Sequence, residues 1–284
     1  MSGIVLAGLW MGGALVSFLS MALAGRELSA ELNTFQILFF RSVIGLVIIS
    51  AILSWSGWAQ VKSTKLRLHF IRNVAHYIGQ FGWFYAISLI PLAQVFAIEF
   101  TIPIWTALIA PFLLSERLTT SRILVVVIGF IGILIILRPG MVPFEIGAIS
   151  ALIAAIGYAL SHTLTKKLTR TDTPLAVIFY MTVIQLPMGA IPSLMEWTTP
   201  SIAMLPWLLV VGVTALSAHY CMARAFAHAD AVVVVPMDFL RLPMVAMLGL
   251  FLYGEALDPW VLAGAVVILG AITINIVSER KNTD

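Results

Sequence analysis

The sequence predicts an all-α integral membrane protein with about ten transmembrane helices arranged as two inverted five-helix repeats. Three observations carry this reading. The chain is too poor in charge for a soluble fold, it divides into apolar stretches of bilayer length, and its second half echoes its first.

Of the 284 residues, 61% are hydrophobic and only 10% charged, with a mean hydropathy of +1.05. A soluble domain carries roughly 25% charged residues, so this chain must present its surface to lipid. The net charge of +3 is read as an excess of basic residues in cytoplasmic loops and not as a nucleic-acid footprint. The lone cysteine, Cys221, permits no intramolecular disulfide and is read as a small buried side chain.

A helix needs about 20 residues to cross the hydrocarbon. Candidate spans lie near 3–24, 34–55, 68–90, 91–114, 122–138, 145–165, 174–196, 205–227, 231–253 and 259–278. The first is read as retained. No basic residue precedes it, and it is long for the apolar core of a signal peptide, although Ala22-Leu23-Ala24 resembles a cleavage site. With the N-terminus in the cytoplasm, Arg26 and Arg138 fall in outer loops and Arg41 and Arg241 inside spans. The rest of the 16 lysines and arginines fall on inner loops and their edges. That asymmetry predicts cytoplasmic N- and C-termini in a multi-pass protein of the cell's inner membrane. Trp55, Trp58, Trp197 and Trp260 sit at span ends as an aromatic belt.

The halves correspond at residues 1–140 and 141–284. The first reads Ala86-Ile87-Ser88, then Glu99-Phe100-Thr101-Ile102-Pro103, then Ser115-Glu116. The second reads Ala225-Phe226-Ala227, then Asp238-Phe239-Leu240-Arg241-Leu242-Pro243, then Gly254-Glu255. A shift of 139 positions (238 − 99 and 255 − 116) aligns both acids, with the prolines offset by one. An odd number of spans per half inverts the second in the membrane, the arrangement of many secondary transporters.

On these residues the chain resembles the EamA family of the drug/metabolite transporter superfamily. The resemblance extends over the whole chain. It rests on the ten spans and two repeats, on Phe39-Phe40-Arg41, on Arg72 opening the third span, on Pro91-Leu92-Ala93 through Pro103 to Glu116-Arg117-Leu118, and on Glu255. It implies a secondary transporter, often an exporter, with alternating access around a central cavity, and a structural role for Arg41. One departure stands out: His228-Ala229-Asp230 replaces the Ile90-Pro91-Leu92 of the first half.

Ionised side chains inside the bilayer cost at least about 2.5–3.5 kcal/mol and mark functional candidates. Glu99 and Arg41 lie about 12 and 10 Å below the outer edge, at about 1.5 Å per residue, so they are expected to pair if they face one cavity. Asp238 and Arg241, three residues apart, share a helix face and are expected to pair with each other. The carboxylates are candidates for carrying protons or meeting a substrate amine, and the arginines for meeting a carboxylate or phosphate. A static helix-locking role is the alternative. His76, Gln80, Trp83, Trp105, Tyr158 and Tyr220 are candidate cavity lining. Pro103 and Pro243 are candidate hinges, since each removes a helical hydrogen bond. Glu116 and Glu255 are read as fixing loops near helix N-termini. The histidines show no metal-binding spacing, and no cofactor is called for.

No GxSxG, HExxH or ATP-binding loop is present, which argues against an intramembrane enzyme or a pump driven by ATP. The reading is a secondary active transporter. It moves a small polar or zwitterionic, amino-acid-like metabolite across the inner membrane, coupled to protons and directed outward. The alternative is an uptake carrier for a vitamin or nucleoside-like cofactor such as riboflavin; a channel or structural membrane protein stands behind both. Its partners are the solute, protons and the bilayer, and monomer and homodimer both remain open.

Overall fold

The computed structural model describes residues 3–114, 120–141, 145–229, 234 and 237–281. These form α1 (Gly3–Leu28), α2 (Thr34–Ser56), α3 (Leu66–Leu89), α4 (Leu92–Glu99), α5 (Ile102–Leu114), α6 (Thr120–Leu137), α7 (Ile146–Leu168), α8 (Pro174–Ser193), α9 (Leu205–His228), α10 (Arg241–Tyr253) and α11 (Pro259–Lys281). Short 3₁₀ turns cover Trp58–Val61 and Ile202–Met204. No β-strand occurs among the described residues. The reason is physical: lipid offers backbone groups no hydrogen bonds, so each segment must satisfy its own.

Six described segments are long and apolar enough to cross a membrane: α1, α2, α4 with α5, α7, α8, and α9 with its preceding turn. Shorter apolar stretches lie in α6, α10 and α11. The remaining long helix, α3, carries Arg67, His69, Arg72, Asn73, His76 and Gln80. The surface has the inside-out character of a protein in lipid. Val47, Phe112, Leu134 and Phe251 are exposed, while Gln36, Asn73, His76 and Gln80 are buried.

Local chemistry sets the helix ends. The Asn33 side chain accepts from Gln36 N at 3.0 Å and starts α2. Thr173 does the same for α8, accepting from Ala176 N at 3.0 Å, with Pro174 in the first turn, where its missing N–H does no harm. Gly254 closes α10 in the left-handed conformation, φ 65°.

The helices pack in pairs: α1 on α9, α3 on α7, α2 on α8, α6 on α11 and α4 on α10. The α3–α7 seam is a backbone contact. A Cβ at Gly82 would lie 2.6 Å from the Ser150 carbonyl, and one at Gly157 would lie 2.8 Å from Gly79 N. Small residues at such a seam let membrane helices approach and gain dispersion energy without a hydrophobic driving force.

The span expected at 91–114 is present as one crossing segment, but it is built from two helices, interrupted at Phe100–Thr101. The interruption precedes Pro103, which instead occupies the first turn of α5; Pro243 likewise sits in the first turn of α10, after a turn at 239–240. A first-turn position suits proline because its absent N–H has no helical acceptor to lose. The freed polar groups find local partners. Thr101 Oγ1 donates to the Ile98 carbonyl at 2.7 Å, and Trp105 Nε1 donates to Thr101 Oγ1 at 3.1 Å.

Candidate functional site

The bend between α4 and α5 opens onto a central cavity of about 380 Å³, walled by α1, α2, α3, α7, α9, α10 and α11 as well. Its lining includes Arg41, His76, Gln80, Trp83, Glu99, Pro103, Tyr158, Asp238 and Arg241.

One wall is a connected cluster of charges. Glu99 ends α4, and its Oε2 accepts from Trp83 Nε1 at 2.7 Å. Its Oε1 accepts from Arg241 Nη1 at 3.2 Å. Arg241 Nη2 reaches Asp238 Oδ2 at 2.6 Å, from one turn away in the chain. The guanidinium carbon lies 4.4 Å from the Phe18 ring centroid and 5.2 Å from that of Phe100, so the aromatic faces hold the cation where water is scarce. Two carboxylates share one guanidinium. With all three groups ionised the cluster carries one excess negative charge, suited to a substrate ammonium or a proton.

The expected pairing of Arg41 with Glu99 is not formed: Arg241 occupies that carboxylate. Arg41 is buried in the cavity wall. Arg72, assigned from sequence to the inner membrane edge, is also buried. It donates to Thr165 Oγ1 at 3.0 Å and to Asn73 Oδ1 at 2.7 Å. His76 Nδ1 lies 2.8 Å from Gln80 Nε2 and 3.0 Å from Gln185 Nε2.

Two candidates lie elsewhere. Trp105 packs edge-on against Phe130 at 5.3 Å and is not part of the lining. Tyr220 is 59% exposed and meets Trp10 on the outside of the bundle. The α9 register turns His219, not Tyr220, inward. Both prolines are exposed, and of the two Pro103 lines the cavity. Glu116 lies outside the described residues. Sequence reasoning missed His162, His219, Phe18, Phe100 and Met222 as lining. For His162 a signal existed: it follows Tyr158 by one helical turn and stacks on it at 6.1 Å.

Polar ties close both ends of the bundle. At one end Glu255 accepts from Arg26 Nη2 at 2.7 Å and from Leu92 N, the start of α4, at 2.8 Å. Arg138 bonds Asp258. At the other end Asp172, in the α7–α8 connection, accepts from Ser63 and lies 2.6 Å from His69 Nε2. Burial pushes the Asp172 carboxyl up, but hydrogen bonds from Ser63, His69 and Thr171 outweigh it and hold the group below its usual range. Among the described residues no group of His, Cys, Asp and Glu is placed to hold a metal ion.

Comparison with known proteins agrees with this architecture. A solved crystal structure superposes with a TM-score of 0.67 at 18% identity, over 98% of this chain and 99% of that one, which shows a shared fold. An S-adenosylmethionine uptake transporter of Rickettsia bellii is 26% identical over 272 residues, 96% of this chain and 94% of its own. A riboflavin transporter of Brucella anthropi is 32% identical over 241 residues, 83% and 85% of the two chains. A pseudopaline exporter of Pseudomonas aeruginosa is 26% identical over 273 residues, 95% and 94%. The profile of the EamA-like transporter family matches residues 5–138 and again 145–277. The chain therefore belongs to the EamA-like transporter family, and is a multi-pass membrane transporter of a small metabolite, not an enzyme.

Proposed function

We propose that this chain is a secondary active carrier of a zwitterionic metabolite bearing a flat ring, working by alternating access around the central cavity. The observation that carries this reading is the make-up of the cavity wall. Carboxylates at Glu99 and Asp238, guanidiniums at Arg41 and Arg241, and the rings of Trp83, Phe100 and Tyr158 surround one space of about 380 Å³. Charged groups of both signs suit an amino-acid-type end, and ring faces suit a planar one.

The helix pairing supports the division into two inverted five-span repeats, residues 1–140 and 141–284. Exchanging the halves turns the α1–α9 pair into α3–α7 and the α5–α7 pair into α1–α10, and maps α2–α8 and α6–α11 onto themselves. The acids Glu99 and Asp238, aligned by the sequence repeat, meet across one guanidinium. The asymmetry of basic residues supports cytoplasmic termini in the inner membrane. The charge count supports proton coupling: protonating one carboxylate removes the excess charge of the cluster, and release on the other side restores it.

A second reading, uptake of a vitamin or a nucleoside-bearing cofactor, is favoured by the S-adenosylmethionine and riboflavin relatives. S-adenosylmethionine itself joins the two, since it has an amino-acid end and a purine. Direction follows the driving gradients, and one experiment reads it together with the solute. Metabolites are profiled in cells and medium with overexpressed wild type and with Glu99→Gln. A solute that leaves cells only with wild type establishes export. Enrichment inside establishes uptake. No difference, combined with no thermal stabilisation of the purified chain by a panel of amino acids, vitamins and nucleosides, overturns the reading.

A further inference from the structure

The cavity has a second polar wall, where the charge of Arg41 is not balanced by the protein. Arg41 is 6% exposed and lines the cavity. Its Nε is buried without a partner, and among the described residues no hydrogen bond or ion pair reaches its side chain. Arg72 beside it on α3 is bound only by neutral oxygens of Thr165 and Asn73. A buried guanidinium without a counter-ion is costly, so the fold retains here a charge that a ligand can neutralise.

The neighbouring histidine is arranged to help. Gln185 Nε2 lies 3.2 Å from the Asn73 carbonyl, which can only accept, so that atom is the amide nitrogen. Its other hydrogen points to His76 Nδ1 at 3.0 Å. Nδ1 is therefore the acceptor and the ring proton sits on Nε2, a further donor on a residue that lines the cavity. His162 and His219 line the same space.

We propose that Arg41 and His76, flanked by His162 and His219, form an oxyanion subsite that takes the carboxylate or phosphate end of the transported solute. The Glu99–Arg241–Asp238 wall takes the cationic end. The inference rests on the reading of this cavity as the transport site. It also gives the bound solute a direction, and it assigns Arg41 a ligand where helix-locking alone would want a protein partner. Arginine is suited to this role, since its planar fork matches an oxyanion by two parallel hydrogen bonds.

The test uses the purified full chain in detergent, with sodium acetate and sodium phosphate as probes and sodium chloride holding ionic strength. Thermal unfolding is followed against anion concentration. Wild type is stabilised, by acetate more than phosphate if the solute ends in a carboxylate and the reverse if it ends in a phosphate. Arg41→Gln weakens the apparent affinity on the order of tenfold or more, the loss of a charge-assisted hydrogen bond. Arg41→Lys keeps the charge but loses the fork and falls between, and it serves alone if the glutamine variant does not fold. A wild type that responds to neither anion, or variants with wild-type affinity, overturns the subsite. Because no transport is required, a chain that binds acetate but moves no metabolite would overturn the carrier reading and leave the subsite standing.

Discussion

The two polar walls of the cavity differ in how their charges are satisfied. On the Glu99–Asp238 wall every ionised group is tied to an opposite charge, and Trp83 adds a hydrogen bond, although Asp238 Oδ1 and Arg241 Nε are left without partners. On the Arg41 wall the guanidinium has none among the described residues. Buried charge that the protein itself neutralises contributes to the stability of one arrangement. Buried charge left open disfavours the empty state and favours a bound one. The first wall is thus part of the architecture as well as the chemistry, while the second is the one we propose for a ligand.

Stability measurements on purified variants test that contrast most strongly. Arg241→Gln strands two carboxylates and should destabilise the chain by about 3–5 kcal/mol, the range for breaking a buried pair, with a matching fall in thermal midpoint. Arg41→Gln removes an unpaired charge and should leave the midpoint unchanged or raise it. Equal losses in the two variants would break the comparison. Trp83→Phe comes next. It keeps an aromatic side chain but leaves part of the indole's space empty and removes one hydrogen bond to Glu99. That bond accounts for about 1.5–3 kcal/mol, read as the coupling term of a double-mutant cycle with Glu99→Gln, while the packing loss persists in both backgrounds.

The smallest effect is expected away from both walls, at the Asp172 clasp. Its folded-state pKa lies below the ordinary value of 3.8. Its stabilisation is therefore fully present above that value and is lost as pH falls through the folded one. Asp172→Asn should remove this acid limb from the pH profile of unfolding while leaving the neutral range flat. An acid limb that persists in the variant would assign it to other carboxylates.

The charges that line the cavity were legible in the sequence because lipid makes buried charge conspicuous. Glu99, Asp238, Arg41 and Arg241 stand out against apolar spans, and all four line the cavity. Pairing was less legible. Depth alone put Arg41 and Glu99 at one level, but depth says nothing about azimuth, and Arg241 is the group that faces Glu99. Azimuth also misplaced Tyr220, one residue from the inward-facing His219, and Trp105, whose indole is drawn to Thr101 where α4 ends. The helix break itself left a trace only in Pro103, which marks the first turn after the interruption and not the interruption. The polar end ties, such as Glu255 with Arg26 and Leu92 N, join residues far apart in the chain, and no local pattern announces them.

The central claim is that the paired acids couple solute movement to protons. Its most direct test is accumulation of the identified solute in proteoliposomes under an imposed pH gradient, for wild type, Glu99→Gln and Asp238→Asn. The account predicts that the gradient drives accumulation with wild type only, while both variants remain folded and inserted. Full gradient-driven accumulation with both variants would contradict it and make the acids structural.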